Sequence, residues 1–238
     1  MHMSKISIIV PTYNERANIE ALCSGIQSYL AENWDYEIIV VDDNSPDGTY
    51  DVVVELGLND DRIKLIKRSG KLGLGSAVKA GFELASGDYW IMMDADLSHR
   101  PMDLPGLIQG LSDADIVVGS RYVDGGSVVN WPFWRKVVSI GASTVGRMII
   151  GLSVKDLTSG FGAFRKDSME KILVDLNPKG FKLLMEILVK SSGARIKEVP
   201  ITFVDRTRGK SKASFWEAML FLRLCFSLRN WKSPREAE

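Results

Sequence analysis

Tyr89-Trp90-Ile91-Met92-Met93-Asp94-Ala95-Asp96 is an apolar run that ends in two carboxylates. Residues at i and i+2 of an extended chain point to the same side, so Asp94 and Asp96 converge on one hard divalent cation or on the diphosphate it carries. Alone, an Asp-x-Asp triplet is common in solvated turns; its surroundings give it meaning. Short β-rich runs recur with helical patterns between them: Ile6–Val10, Glu37–Val41, Ile63–Lys67, Tyr89–Met93, Ile116–Gly119, Gly162–Arg165 and Ile196–Phe203. The alternation predicts an α/β domain around a central, mostly parallel sheet flanked by helices. Ile38-Ile39-Val40-Val41 is apolar throughout, as a strand covered on both faces requires. Asn14 or Thr12 is expected to cap a helix starting near Arg16, and Asp47-Gly48 and Ser86-Gly87-Asp88 mark turns.

With 238 residues the chain is long enough for a full core and favours one large domain. Thirty basic and thirty acidic residues cancel, so there is no global field to attract nucleic acid, and no nucleic-acid partner is expected. Cys23 and Cys225 lie in apolar stretches and read as buried free thiols in a reducing compartment. The start lacks a secretory pattern. The longest apolar stretches, Val137 to Leu152 and Phe215 to Leu228, are interrupted by charges and fall short of the roughly 20 residues that cross a bilayer.

In open α/β sheets, ligands collect beyond the carboxyl ends of the strands. Those positions are polar here: Pro11-Thr12-Tyr13-Asn14-Glu15, Asp42-Asp43-Asn44-Ser45-Pro46-Asp47-Gly48, Asp94-Ala95-Asp96 and Gly119-Ser120-Arg121-Tyr122. Two familiar nucleotide motifs fail. Gly73-Leu74-Gly75 lies in mid-chain with Val78 in place of a third glycine, and Gly209-Lys210-Ser211 has Val204 where a P-loop needs its first glycine.

Together with Leu72-Gly73-Leu74-Gly75, Asp94-Ala95-Asp96-Leu97-Ser98-His99, Asp156-Leu157-Thr158-Ser159-Gly160-Phe161, and Glu198 through Arg206 followed by Gly209 and Ser211-Lys212, these loops resemble the family 2 inverting glycosyltransferases of GT-A (Rossmann-like) fold. The likeness is strongest to the dolichol-phosphate (polyprenyl-phosphate) mannose synthases. The resemblance spans roughly residues 5 to 215. It implies a catalytic domain over 1–213, with a membrane-facing helical segment near 131–152, then an apolar helix and tail over 214–238.

The resemblance further implies GDP-mannose as donor, held by Pro11, Tyr13, Glu15, Val40 and Asp42. Asp43 reads as a cap or as fixing the following turn. Asp94, Ala95 and Asp96 fall on the diphosphate and Mg²⁺ or Mn²⁺ positions. Ser98 stands where some synthases place a metal-ligating Gln. Arg121, Arg206 and Lys212 are the expected phosphate clamps. The implied acceptor is dolichyl or another polyprenyl phosphate, met by Arg121, Arg135 and Ser139. A phosphate monoester has a second pKa of about 6 and needs no strong general base, so a single displacement with inversion is expected. His99, the only histidine away from the terminus, reads as structural, with a catalytic role the lesser alternative.

Trp131-Pro132-Phe133-Trp134-Arg135-Lys136 opens a largely apolar helix, a composition suited to a headgroup region. In Phe215 to Trp231 the charges Glu217, Arg223 and Arg229 spread around the helix, which suits partial burial, lipid contact or a docked subunit. The expected location is therefore peripheral, at the cytoplasmic face of a membrane, alone or recruited by a separate membrane subunit. Two competing readings stand beside this one: a UDP-glucose-dependent polyprenyl-phosphate glucosyltransferase, and a silent sugar-nucleotide-binding subunit.

Overall fold

A computed structural model describes residues 4–177, 183–205, 215–229 and 231. The strands are β1 (Lys5–Thr12), β2 (Asp35–Asp42), β3 (Ile63–Lys67), β4 (Tyr89–Met92), β5 (Ile116–Ser120), β6 (Ser127–Val129), β7 (Gly162–Arg165), β8 (Ile196–Pro200) and β9 (Thr202–Val204). The helices are α1 (Ile19–Leu30), α2 (Thr49–Asn59), α3 (Leu74–Leu84), α4 (Leu104–Gly110), α5 (Phe133–Ile150), α6 (Lys166–Leu173), α7 (Leu183–Lys190) and α8 (Phe215–Arg229).

Seven strands form one sheet in the order β3-β2-β1-β4-β7-β5-β8, with β7 antiparallel to both neighbours and the other pairs parallel. This is the expected mostly parallel α/β sheet. Its alternation divides the core in two. Ile6, Ile8, Val10, Ile38 and Val40 face α1, α2 and α4, while Ile9, Ile39 and Val41 face α3, α6, α7 and α8. Both faces are thus covered, which is why β1 and β2 are apolar almost throughout. Because β1, β2, β4 and β5 run in one direction, the loops after Thr12, Asp42, Met92 and Ser120 gather at one edge.

Three local expectations are corrected. The first helix begins at Ile19, not near Arg16, and its N-cap is Asn18. Thr12 donates its hydroxyl to Asp42 instead (3.0 Å), and Asn14, at φ 62°, donates its N–H to Ser45 Oγ (3.0 Å). The run Ile196–Phe203 is two strands in two sheets. Pro200 lacks the N–H that would continue a ladder, and beyond it β9 leaves β5 to pair with β6 in a separate two-stranded sheet. That partner, β6, was not foreseen.

Cys23 and Cys225 are both buried thiols, as expected. Helix α8 buries Phe221, Cys225 and Leu228 and leaves Met219, Leu220 and Phe226 exposed. It packs on α5, where a Cβ at Gly146 would lie 2.9 Å from the Phe221 ring. No helix among the described residues is long and apolar enough to cross a membrane.

Candidate active site at the carboxyl edge of the sheet

The triplet begins just after β4 leaves the ladder. Met93 N–H still reaches Ile9 C=O (3.0 Å), but from Asp94 onward the loop holds itself. Asp94 donates its N–H to Nδ1 of His99 (3.1 Å), and Asp96 Oδ1 accepts both the N–H (3.0 Å) and the hydroxyl of Ser98. Leu97 sits between them at φ 61°. A left-handed leucine costs about 1–2 kcal/mol, a strain the loop tolerates in order to turn Ser98 back on Asp96. Ser98 is buried, and both of its donors reach Asp96.

The donor set suits a hard divalent cation. Asp94 and Asp96 are carboxylates on one short loop, and the Asp94 side chain is 22% exposed. Among the described residues no cluster of three or more His, Cys, Asp or Glu side chains surrounds a metal-sized point. The rest of an ion's oxygen shell would come from phosphate and water. Gly160 leaves the room: a Cβ there would stand 3.0 Å from Asp94 Oδ2. A mostly apolar cavity of about 20 Å³, the space of a single water, lies between Pro11, Leu74, Val78 and Leu184 and is bordered on one side by Asp94 and Gly160.

Asp42, the last residue of β2, makes the turn contacts expected of Asp43. Asp42, fully buried, fixes the turn by accepting Ser45 N–H (2.9 Å) and Ser45 Oγ–H (2.5 Å). Asp43 reaches across to the loop before α3, accepting the N–H groups of Leu72 (3.0 Å) and Gly73 (2.9 Å) and pairing with Arg68 (2.8 Å). Gly73, at φ 103°, makes that approach possible. The same loop brings the Lys71 ammonium 3.9 Å above the half-buried Tyr13 ring. Glu15 takes a bond from Asn18 (2.7 Å) at the same edge. Val40 and Ala95 are buried, and the Val40 side chain belongs to the core beneath α1 and α2, away from the edge.

Arg121 is 7% exposed and held by Asp156, itself fully buried. The backbone N–H (3.0 Å) and Nε (2.8 Å) of Arg121 donate to Asp156 Oδ2, and Nη2 donates to Asp156 Oδ1 (2.7 Å) and Thr158 Oγ1 (2.8 Å). Burial works against the guanidinium charge, but Asp156 outweighs it and Asp94 adds to the effect, so the Arg121 pKa lies above its ordinary value. Asp156 was not singled out from sequence, although its run was; the signal was a lone acid within Asp156-Leu157-Thr158.

The acceptor-side residues gather around one indole. Arg135 lies over the Trp131 ring at 4.1 Å and pairs with Asp205 (2.9 Å), and Arg121 lies 5.4 Å from the same ring. Tyr122 donates its hydroxyl to Ser139 (2.7 Å). The structure thus brings Arg121, Arg135 and Ser139 into one neighbourhood beside the triplet. Arg206 and Lys212 lie outside the described residues.

The glycosyl transferase family 2 model matches residues 7–173. The chain is 48% identical over 231 residues to the dolichol-phosphate mannosyltransferase of Pyrococcus furiosus, covering 96% of this chain and 64% of that one. It is 39% identical over 216 residues to the undecaprenyl-phosphate mannosyltransferase of Micrococcus luteus, covering 88% of each. The glucosyl-3-phosphoglycerate synthase of Mycobacterium tuberculosis, solved with Mn²⁺, UDP and phosphoglyceric acid, shares the fold with a TM-score of 0.72 at 18% identity, over 97% of this chain and 80% of that one. The matched motifs and the carboxylate-bearing edge agree: this chain belongs to glycosyl transferase family 2, and its likeness within the family runs to the lipid-phosphate mannosyltransferases.

Proposed function

We propose that the chain transfers mannose from GDP-mannose to dolichyl or another polyprenyl phosphate, with inversion, giving a β-mannosyl phospholipid. One observation carries the reading. The Asp94/Asp96 carboxylates and the cluster of Arg121, Arg135 and Ser139 meet at a single edge, so a diphosphate donor and a phosphate acceptor are served from adjacent sides.

In this reading Pro11, Tyr13 and Glu15 border the nucleoside, Asp42 holds the turn beneath them, and Lys71 lies over the Tyr13 ring. Asp94 and Asp96 hold Mg²⁺ or Mn²⁺, which when bound offsets the charge that develops on the leaving diphosphate. Arg121, fixed by Asp156, contributes a permanent positive charge beside the carboxylates without needing to reorganise. Arg206 and Lys212 complete the clamp in this reading. Arg135 exchanges Asp205 for the acceptor phosphate, and Ser139 supplies a further hydrogen bond. The acceptor arrives ionised, so no residue is assigned as general base.

A lipid acceptor requires access from a bilayer surface. Helix α5 exposes Phe133 (82%), Trp134 (59%), Val138 (58%) and Met148 (80%), and α8 adds Phe226 (54%) beside it. This apolar strip, opened by Arg135 and Lys136, suits insertion at the headgroup level. These exposed residues support a peripheral position on a membrane. The test is mass spectrometry of polyprenyl phosphate incubated with GDP-mannose, Mn²⁺ and the protein. A lipid heavier by one hexose, absent with Asp96→Ala, supports transfer; an unchanged lipid with GDP-mannose and with UDP-glucose refutes it.

A further inference from the structure

Beyond Met93 the sheet no longer dictates the backbone that carries Asp94, and what replaces it is a side chain. His99 is 1% exposed, and its Nδ1 lies 3.1 Å from the backbone nitrogen of Asp94. An Nδ1 that accepts this N–H carries no proton of its own, so the ring proton sits on Nε2. The ring cannot swing. Phe161 stacks on it at 4.9 Å and 23°, and Phe203 meets it edge-on at 5.5 Å and 73°. Gly160 closes the remaining side: a Cβ there would stand 3.1 Å from His99 Cε1 and 3.0 Å from Asp94 Oδ2.

The loop is therefore closed at two points. His99 fixes the peptide plane entering Asp94, while Ser98 fixes the carboxylate of Asp96. Rotation of a peptide plane moves the attached Cα–Cβ vector, so the aim of the Asp94 carboxylate depends on the His99 bond. Backbone contacts do not substitute for it, because Met93 is the last residue here whose N–H is held by β1.

We propose that His99 is a positioning residue: by accepting the Asp94 N–H it sets the geometry in which Asp94 meets the divalent cation and the donor diphosphate. This rests on the reading of the site given above. Its role needs an acceptor atom at Nδ1, not a titrating ring. It also connects the two substrates physically, since Phe203 contacts His99 on one side and the Trp131 ring (5.5 Å) on the acceptor side.

The test compares His99→Asn with His99→Leu in the full chain. An asparagine amide oxygen falls near the place of Nδ1 and restores an acceptor, whereas leucine fills volume and offers none. Both lose the aromatic stack, so a merely packing role makes them equal. Amide exchange reports the bond itself: protection of the Asp94 N–H is expected in the wild type and in His99→Asn, and not in His99→Leu. Calorimetric titration of GDP-mannose at graded Mn²⁺ reports the consequence. A rise of about tenfold in the Mn²⁺ needed for half-maximal binding is expected in His99→Leu, with most of it recovered in His99→Asn and the acceptor KM unmoved in both. Equal behaviour of the two variants, or lost protection with no change in Mn²⁺ requirement, overturns the role of His99. A wild-type chain that binds neither GDP-mannose nor Mn²⁺ overturns instead the functional reading beneath it.

Discussion

Arg121 and Asp156 form a buried two-point ion pair, with Nη2–Oδ1 at 2.7 Å and Nε–Oδ2 at 2.8 Å, and the Asp156 side chain is fully excluded from solvent. Breaking one side leaves an uncompensated buried charge, which costs about 3–5 kcal/mol. Asp156→Leu is expected to lower stability by that order in urea unfolding and to abolish transfer. The double change Arg121→Met with Asp156→Leu is expected to recover much of the stability, because an apolar pair fills the space without desolvated charge, and to recover none of the transfer. Wild-type activity in the double variant would show that the pair is structural only.

Gly160 is the second sensitive point. An alanine there would place Cβ 3.0 Å from Asp94 Oδ2 and 3.1 Å from His99 Cε1, so the carboxylate and the ring that holds its backbone must give by a few tenths of an ångström. Gly160→Ala is expected to raise the Mn²⁺ needed for half-maximal transfer by about tenfold, equivalent to about 1.4 kcal/mol, while the urea midpoint changes little. An unchanged Mn²⁺ requirement would show that Asp94 does not need this space.

At the opposite end of the sheet, Glu37 joins three segments. It accepts Ser7 Oγ–H (2.6 Å), Ser86 N–H and Oγ–H (both 2.8 Å) and Lys64 Nζ–H (2.6 Å). Burial raises its pKa, but the bonds from Lys64, Ser7 and Ser86 outweigh burial and bring it from 4.5 down to about 2. A folded pKa below the unfolded one gives stability that is fully present above 4.5 and lost as the pH falls toward 2. Glu37→Gln is expected to cost about 2 kcal/mol at pH 7 and to narrow the difference between urea midpoints at pH 7 and pH 3. A difference as wide as in the wild type would assign the acid sensitivity to other carboxylates.

The exposed strip on α5 bears on the lipid substrate. Replacing Phe133 and Trp134 with serine removes two aromatic side chains that are 82% and 59% exposed, so little core packing is lost. Co-sedimentation with phospholipid vesicles is expected to fall about tenfold or more, with donor binding unaffected. Equal sedimentation of variant and wild type would remove α5 as the membrane contact.

Much of this arrangement is legible in the sequence because it is written locally. The strands β1, β2, β4 and β5 are largely apolar runs, and the polar residues that follow them can only lie at the carboxyl edge once the strands are parallel. What escapes is long-range. Thr12 and Asn14 have the chemistry of helix caps, yet their partners Asp42 and Ser45 lie some thirty residues away and draw them from α1. Asp42 and Asp43 are adjacent and chemically identical, so only the fold decides which one meets the turn and which one meets Leu72 and Gly73. The strands β6 and β9 have three residues each and no periodicity to show; their pairing follows from Pro200 ending β8. Asp156 gained its importance from Arg121, thirty-five positions earlier.

The most direct measurement is a double-label competition. The protein is incubated with equal concentrations of ¹⁴C-labelled GDP-mannose and ³H-labelled UDP-glucose, dolichyl phosphate and Mn²⁺, and both labels are counted in the organic phase. Predominant ¹⁴C in the lipid, abolished by Asp96→Ala, is the expected result. Predominant ³H, or no lipid-borne label of either kind, would contradict mannosyl transfer to a lipid phosphate.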